Sequence, residues 1–424
     1  MEVMAIDVLH MRNMPVPKKG KERLPVPDAG YSVILHLQVE HNGVQHSGLG
    51  EIRAVTSVSG ETPAGAFSAA VRLGEVLVGV ELDCGQSGRE ATAQAAQAVR
   101  SAAEKAFGVA PTTQLPTGLN SAVRFAFECA VLDAMARASS RSMSELLALA
   151  PAASVSRNVF SRPLSNASRL LNQLIDGRAP SGWWRSRCSY SGVRAGELMN
   201  TLTRANIWSA AGFEGLWLDL GGRWHVDDLK AFEETFNSGA ETQGAPVNLI
   251  LEQPFPSYAT AHYAELLALS QRLRDRFGVE LRIMLDEPVW DRRSLAELDE
   301  LLPFVDLNVT PQKAGSFEEV LQVGDYLRER NVGGKIYLGN AALNTDLNTL
   351  ALTALGQMLG PRCGYFSASR KEEKRVRLIH SGDAWLSLDD AELRLPTGQG
   401  WGVVLCRSGL EKRLKRCISS VVTR

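Results

Sequence analysis

The chain has 424 residues, 45% hydrophobic and 22% charged, with 46 Lys and Arg against 47 Asp and Glu. A net charge of −1 and a pI near 6.7 supply no global field for nucleic acid or an anionic membrane, so neither is expected as a partner. The length exceeds one small domain and suits a large barrel with an accessory domain.

Local features agree. The basic runs Lys18-Lys19-Gly20-Lys21 and Lys412 to Arg416 are short and read as a solvated loop and a solvated C-terminal helix face. Cys84, Cys129, Cys188, Cys363, Cys406 and Cys417 show no metal-binding spacing, so reduced thiols are expected. Met1-Glu2-Val3 does not open a basic-then-apolar leader, and no run of about 18 apolar residues occurs, so a cytoplasmic location is expected.

Met4 to Met11 and Ser32 to Glu40 alternate apolar and polar residues, as half-buried antiparallel strands do. The intervening Pro15, Pro17, Gly20, Pro25 and Pro27 predict an irregular loop. Residues 63–107 carry helical patterning, and Ser121 to Ala148 predicts a long helix. A sheet followed by helices predicts an α+β domain over residues 1–150.

From Ser154 onward short apolar strands alternate with helical stretches. The predicted strands are Ser156–Ser161, Gly182–Ser189, Gly215–Leu220, Val247–Glu252, Glu280–Asp286, Val305–Val309, Lys335–Gly339 and Gly364–Ser367. Ser294–Leu302 and Phe317–Arg330 are among the amphipathic segments between them. This rhythm predicts a closed parallel barrel over residues 151–385. Ala391 to Leu405 reads as strand and turn again, so about 386–424 is expected to complete the first domain.

Three predicted strands end in an acid: Leu218-Asp219, Leu251-Glu252 and Leu285-Asp286. The separations are 33 (219 to 252) and 34 (252 to 286), about one βα unit each. That spacing sets the acids at the C-terminal rim of neighbouring strands, where barrel enzymes place their sites. Carboxylates converging there repel unless a cation neutralises them, and hard oxygen donors suit Mg²⁺. The alternative is that each acid caps the following helix.

With these motifs the chain resembles the enolase superfamily, in its mandelate racemase and muconate-lactonizing branches. Asp219-Leu220-Gly221-Gly222-Arg223-Trp224 is similar to the family's DANxxW, Glu252-Gln253-Pro254 to its EQP and Asp286-Glu287 to its DE. Val305 to Val309 with Gly315 resembles the sixth strand and its turn. Upstream, Gly48-Leu49-Gly50-Glu51, Gly60-Glu61-Thr62 and Ser121 to Asp133 resemble capping-domain motifs, and Leu393 to Val404 the closing LxxP…GxG strand. The resemblance implies a modified TIM barrel, (β/α)7β, with an N-terminal α+β capping domain. It also implies Mg²⁺ on Asp219, Glu252 and Asp286, and proton abstraction α to a carboxylate.

The pattern departs from the family at the proton carriers. Arg185-Ser186-Arg187 aligns with the second-strand KxK, and residues 155–190 contain no lysine. Arginine is a poor base but a good carboxylate clamp. Thr310 stands at the sixth-strand lysine position, with Lys313 three residues on, and no His lies near Ile336 to Asn340. The catalytic candidates are thus Arg185, Arg187, Lys313 and Tyr190, with Arg53, Thr310 and Asn340 as substrate-binding candidates. His225 and Glu287 read as surface or packing residues.

Two functions follow. One is a dehydratase or lyase, or else a racemase or cycloisomerase, of a small carboxylic or sugar acid. The other is a metal-binding paralogue that has lost the acid/base pair and acts as a binding protein. Met14–Pro27 and Arg53–Ser59 are the expected lids, and a homo-oligomer is a family expectation.

Overall fold

The computed structural model describes residues 1–12, 31–108, 120–150, 155–161, 183–187, 215–239, 248–256, 261–339, 346–360, 363–367, 379–380, 392–405 and 419–423. The first three strands, β1 (Glu2–Arg12), β2 (Tyr31–His41) and β3 (Val44–Ile52), form an antiparallel sheet. Both alternating segments are therefore strands, with β3 added by the Asn42-Gly43 turn. Helices α1 (Pro63–Leu77), α2 (Gly88–Phe107) and α3 (Ser121–Ala138) follow.

The long helix expected over 121–148 ends at Ala138. Ser139 donates its hydroxyl to Met135 O (2.7 Å), Ser140 takes φ 56° and the Arg141 amide returns to Ala136 O (2.8 Å). Serine hydroxyls compete for helical carbonyls in this way. Ser142 then caps a separate short helix, Met143–Leu146.

All of α3 except Arg137 is buried, so it reads apolar on every side. Its close fit to β3 explains the Gly48-Leu49-Gly50 motif. A Cβ on Gly48 would lie 2.0 Å from Ala130 O, and one on Gly50 2.1 Å from Ala126 O. Only glycine lets the strand meet the helix backbone at that distance.

The second body is a closed ring of eight parallel strands: β4 (Val155–Ser161), β5 (Trp183–Arg187), β6 (Gly215–Asp219), β7 (Leu249–Glu252), β8 (Leu281–Leu285), β9 (Val305–Val309), β10 (Ile336–Leu338) and β11 (Cys363–Ser367). Pairing of β11 with β4 closes it. Each of the eight predicted strands is present, shifted by no more than two residues at an end. Helices α4 (Val226–Gly239), α5 (Ala261–Phe277), α6 (Phe317–Glu329) and α7 (Asp346–Leu359) pack outside.

The chain after β11 serves both bodies. Two-residue strands β12 (Ile379–His380) and β14 (Val404–Leu405) pair with each other, and β13 (Glu392–Leu393) pairs antiparallel with β4. β15 (Ser419–Thr423) joins β1 at the edge of the first sheet. Residues 392–405 are strand and turn as expected, with Gly400 and Gly402 at φ 60° and 69° in the turn between β13 and β14.

The joint between the bodies combines polar contacts with one aromatic stack. Glu128 of α3 accepts from Ser316 Oγ (3.0 Å) and Phe317 N (2.7 Å), capping α6. Arg89 and Thr92 of α2 reach Glu318 at 2.7 and 2.8 Å. Phe125 stacks on Phe317 with centroids 6.5 Å apart. The cap thus grips the turn that follows β9, on the rim of the barrel.

Candidate active site at the barrel rim

Strand register brings the three acids to one end of the ring. Asp219 pairs with Glu252 across β6 and β7, and Asp286 follows the last residue of β8. Beneath them Trp217, Ile250, Met284 and Tyr337 form an apolar layer, with Trp217 edge-on to Tyr337 at 5.0 Å. Layers of inward side chains of this kind make a barrel interior a packed core, so the polar floor is confined to the rim.

Glu252 is 1% exposed. Its carboxylate accepts from Trp217 Nε1 (2.7 Å) and from Asn308 Nδ2 (2.6 Å). The same Asn308 amide reaches Asp286 Oδ2 at 3.2 Å. One amide on β9 therefore ties two of the acids together.

Lys313 completes this arrangement. It lies in a short helix, Pro311–Ala314, and its side chain is 6% exposed. Its Nζ sits 2.8 Å from Asp286 Oδ1, 2.5 Å from Asp286 O and 5.6 Å from the centre of the Trp290 ring. The turn after β9 thus carries the ammonium onto an acid.

The loops carrying the acids are zipped to one another. Leu220 N, Gly222 N and Trp224 N donate to Glu252 O, Gln253 O and Pro254 O at 2.9, 2.6 and 2.9 Å. Gly221 and Gly222 hold φ 56° and 70°, a turn that disfavours other residues. Gln253, with φ 42°, donates to Phe255 O (2.7 Å) and accepts from Asp286 N (3.0 Å) and Glu287 N (3.2 Å). It is the peg that sets the third acid against the second.

Glu287 keeps contact with solvent but stands within the protein surface beside charged neighbours. Burial, then the charges of Asp286 and Asp219, raise its carboxyl to about 7. His225 is exposed, its backbone amide 2.7 Å from Asp228 Oδ2, as a surface residue.

The remaining expected residues are placed as follows. Arg187 pairs in register with Asp219 and Arg185 with Trp217, which sets the RSR segment at the rim beside the first acid. Thr310 is buried and its carbonyl begins the Pro311–Ala314 helix. Arg53 is fully buried in the cap, bonded to Tyr31 O and to Ser32 Oγ (2.9 Å). Of the expected lid Arg53–Ser59, the first three residues are buried. Tyr190, Asn340 and Met14–Pro27 lie outside the described residues.

At the seventh strand, a Cβ on Gly339 would come within 2.4 Å of Thr310 Oγ1 and 2.6 Å of Asn308 Oδ1. Packing leaves no room there for a side chain. Asn308, Gln253 and Gln312 are the rim residues that sequence reasoning passed over. Gln312 is fully buried with neither amide atom hydrogen-bonded. The available signal was an amide, Asn308, inside a strand, which sheets disfavour.

Three carboxylates give a hard-oxygen donor set, and an oxygen that accepts one hydrogen bond keeps a second lone pair. In kind the residues fit a divalent cation. They are not gathered into a coordination sphere: among the described residues no group of three or more His, Cys, Asp or Glu is arranged to hold a metal ion.

Comparison with solved structures matches the whole architecture. Dipeptide epimerase from Cytophaga hutchinsonii, complexed with Mg and the dipeptide D-Ala-L-Val, superimposes with a TM-score of 0.65 at 14% identity, covering 100% of both chains. L-talarate dehydratase from a Polaromonas species, complexed with Mg and L-glucarate, gives 0.66 at 15% identity over 100% of this chain and 99% of that one. A member of the enolase superfamily from Listeria innocua gives 0.66 at 16% identity with the same coverage. This is the enolase-superfamily fold. No family model and no curated protein matches the sequence, so the enolase-type architecture is carried by the fold rather than by overall sequence identity. No described helix is long and apolar enough to cross a membrane.

Proposed function

We propose that the chain is a Mg²⁺-dependent enzyme of the enolase superfamily that removes a proton α to the carboxylate of a small carboxylic or sugar acid. The observation that carries this reading is the register Asp219–Glu252, with Asp286 tied to Glu252 through Asn308. Enolase-fold neighbours that bear Mg with a dipeptide or with L-glucarate support it.

Asp219, Glu252 and Asp286 would hold the ion, which supplies positive charge to the substrate carboxylate and the developing enolate. Arg185 and Arg187, on the strand beside Asp219, are assigned to clamp the carboxylate as bidentate donors. The ion pair with Asp286 supports a positioning role for Lys313: it fixes the third acid. Tyr190 is then assigned the proton transfer, and one good carrier favours a dehydratase or lyase over a racemase. Arg53, buried in the cap, holds the start of β2 through Tyr31 O and Ser32 Oγ, and Thr310 and Asn340 are assigned to border the ligand.

The second reading, a binding protein without turnover, is favoured by the ammonium already seated on Asp286 and by Thr310 at the lysine position. One experiment separates the two. The chain is incubated with Mg²⁺ in D₂O with acid sugars, N-acyl amino acids and dipeptides, and α-deuterium uptake and product are followed by NMR. Uptake that disappears in Asp219→Asn supports the enzyme. Ligand-induced thermal stabilisation without uptake supports the binding protein. If Mg²⁺ and these ligands alter neither exchange nor melting, both readings fail.

A further inference from the structure

Asp306, Asn308 and Thr310 alternate along β9 and its end, and so share the face that carries Asn308 to the rim acids. Thr310 continues the strand in extended geometry, at φ −95° and ψ 110°. Hydrogen bonding thins along this face towards the barrel mouth. Asp306 pairs with Arg282 and accepts from Lys335 N (2.7 Å). Asn308, 1% exposed, places its Nδ2 on Glu252 and Asp286 at 2.6 and 3.2 Å. Two carboxylates on the nitrogen fix which way the amide points. Its Oδ1 is therefore turned away from the acids, buried and without a hydrogen-bond partner among the described residues. Thr310 begins the Pro311–Ala314 helix, yet its hydroxyl makes no capping bond, the bond a threonine normally supplies there.

The two oxygens converge on the end of β10. Gly339 donates its amide to Val309 O (2.8 Å), and a Cβ on it would collide with Thr310 Oγ1 and Asn308 Oδ1 alike. Gly339 is not among the glycines of positive φ, so glycine is required here by space and not by conformation. A larger residue would cover both oxygens, whereas glycine leaves them as a polar wall beside Glu252 and Asp286. A buried amide oxygen that lacks a donor is costly, and native proteins retain few of them.

We propose that Asn308 and Thr310 select the ligand: their wall receives an O–H or N–H donor that the acid carries beside its carboxylate. The site then takes hydroxy or acylamino acids and rejects alkyl acids of the same length. This rests on the reading that Asp219, Glu252 and Asp286 hold the carboxylate through the ion. Asn308 Oδ1 accepts the donor, and the Thr310 hydroxyl, able to give or to accept, meets the oxygen of the same substituent. Discrimination comes from the penalty: an alkyl chain at the wall leaves Oδ1 unpaired, and polar sites reject ligands that lack the matching group more strongly than apolar sites reject an added one.

The test is calorimetric titration of the Mg²⁺-loaded full chain with three probes that share a six-carbon acid chain: hexanoate, D-gluconate and N-acetylnorleucine. Gluconate or N-acetylnorleucine should bind at least about tenfold tighter than hexanoate, and the tighter of the two names the donor as hydroxyl or amide. Thr310→Val, which keeps the shape and removes the hydroxyl, should cut that preference by about fivefold or more. Gly339→Ala should cut it further by covering both oxygens. The readout is a ratio measured on one preparation, so a lower folded fraction in a variant affects both probes alike. Equal binding of hexanoate and both other probes, or a parental ratio in Thr310→Val, overturns the inference. If Asp219→Asn still abolishes binding in that case, the metal-site reading survives without it. If no probe binds the Mg²⁺-loaded chain, both fall.

Discussion

Two sets of acids are built differently. At the joint and inside the cap, Glu61 accepts from Ala122 N (3.0 Å), Glu128 from Phe317 N (2.7 Å), and Asp133 from Leu49 N (2.9 Å) and Trp401 N (2.7 Å). At the rim, the side chains of Trp217, Asn308 and Lys313 donate to Glu252 and Asp286. An acid clamped on backbone amides is part of the chain's own hydrogen-bond accounting. An acid reached by side chains can exchange a donor for a cation without unfolding anything. The difference separates carboxylates that hold the fold from carboxylates that offer themselves to a ligand.

The sharpest way to break this comparison is Asp219→Asn. Mg²⁺-dependent stabilisation should vanish and α-proton exchange should fall by about a thousandfold. Metal-free stability should move by about 0.5 kcal/mol or less. A large metal-free loss, read by urea titration, would place this acid with the structural set.

Glu128→Ala should behave in the opposite way. It leaves Phe317 N and Ser316 Oγ without their acceptor and opens a void, which costs about 3 kcal/mol. Chemical denaturation measures that loss, and metal affinity should be little changed.

Lys313→Met tests whether the ammonium is the resident counter-ion of Asp286. The pair is partly exposed, so the metal-free chain should lose only about 1–2 kcal/mol. Added Mg²⁺ should then raise the melting point more than in the parent, because a competing positive charge is gone. An equal or smaller rise assigns Lys313 no counter-ion role.

The smallest effect is on pH dependence. Burial raises Glu128 from 4.5 to about 8, so above the lower value the folded chain holds a proton that the unfolded chain has released. The associated stability is fully present below pH 4.5 and is lost as pH rises toward 8. Urea midpoints from pH 5 to 9 should therefore decline, and Glu128→Gln should flatten the decline. A parallel slope in the variant would remove Glu128 as its source.

The barrel was legible because its signal is repetitive. Acid-tipped strands spaced by about one βα unit encode both ring order and rim, and each predicted strand is present. The cap was legible through Gly48 and Gly50, whose missing Cβ atoms announce a close approach, although the helix they approach could be read only beyond its true end. What the sequence did not disclose depends on three-dimensional reach. Nothing in a linear reading sends the Lys313 ammonium to Asp286, or makes one Asn308 amide serve two acids from different strands. The absence of a histidine near Ile336 to Asn340 was plain, but not that a Cβ on Gly339 would meet Thr310 and Asn308.

The pairing of β1 with β15 joins residues 5–9 to residues 419–423, and β4 meets β11 across some 200 residues. Contacts that distant are slow to form because long loops must close first. β1 therefore gains its second neighbour only after residues 419–423 have been made, and the ring waits for its eighth strand. Until those pairings form, the unpaired strand edges can accept another strand. The closed ring gives every barrel strand a partner on both sides, and β15 covers β1 in the sheet beside it.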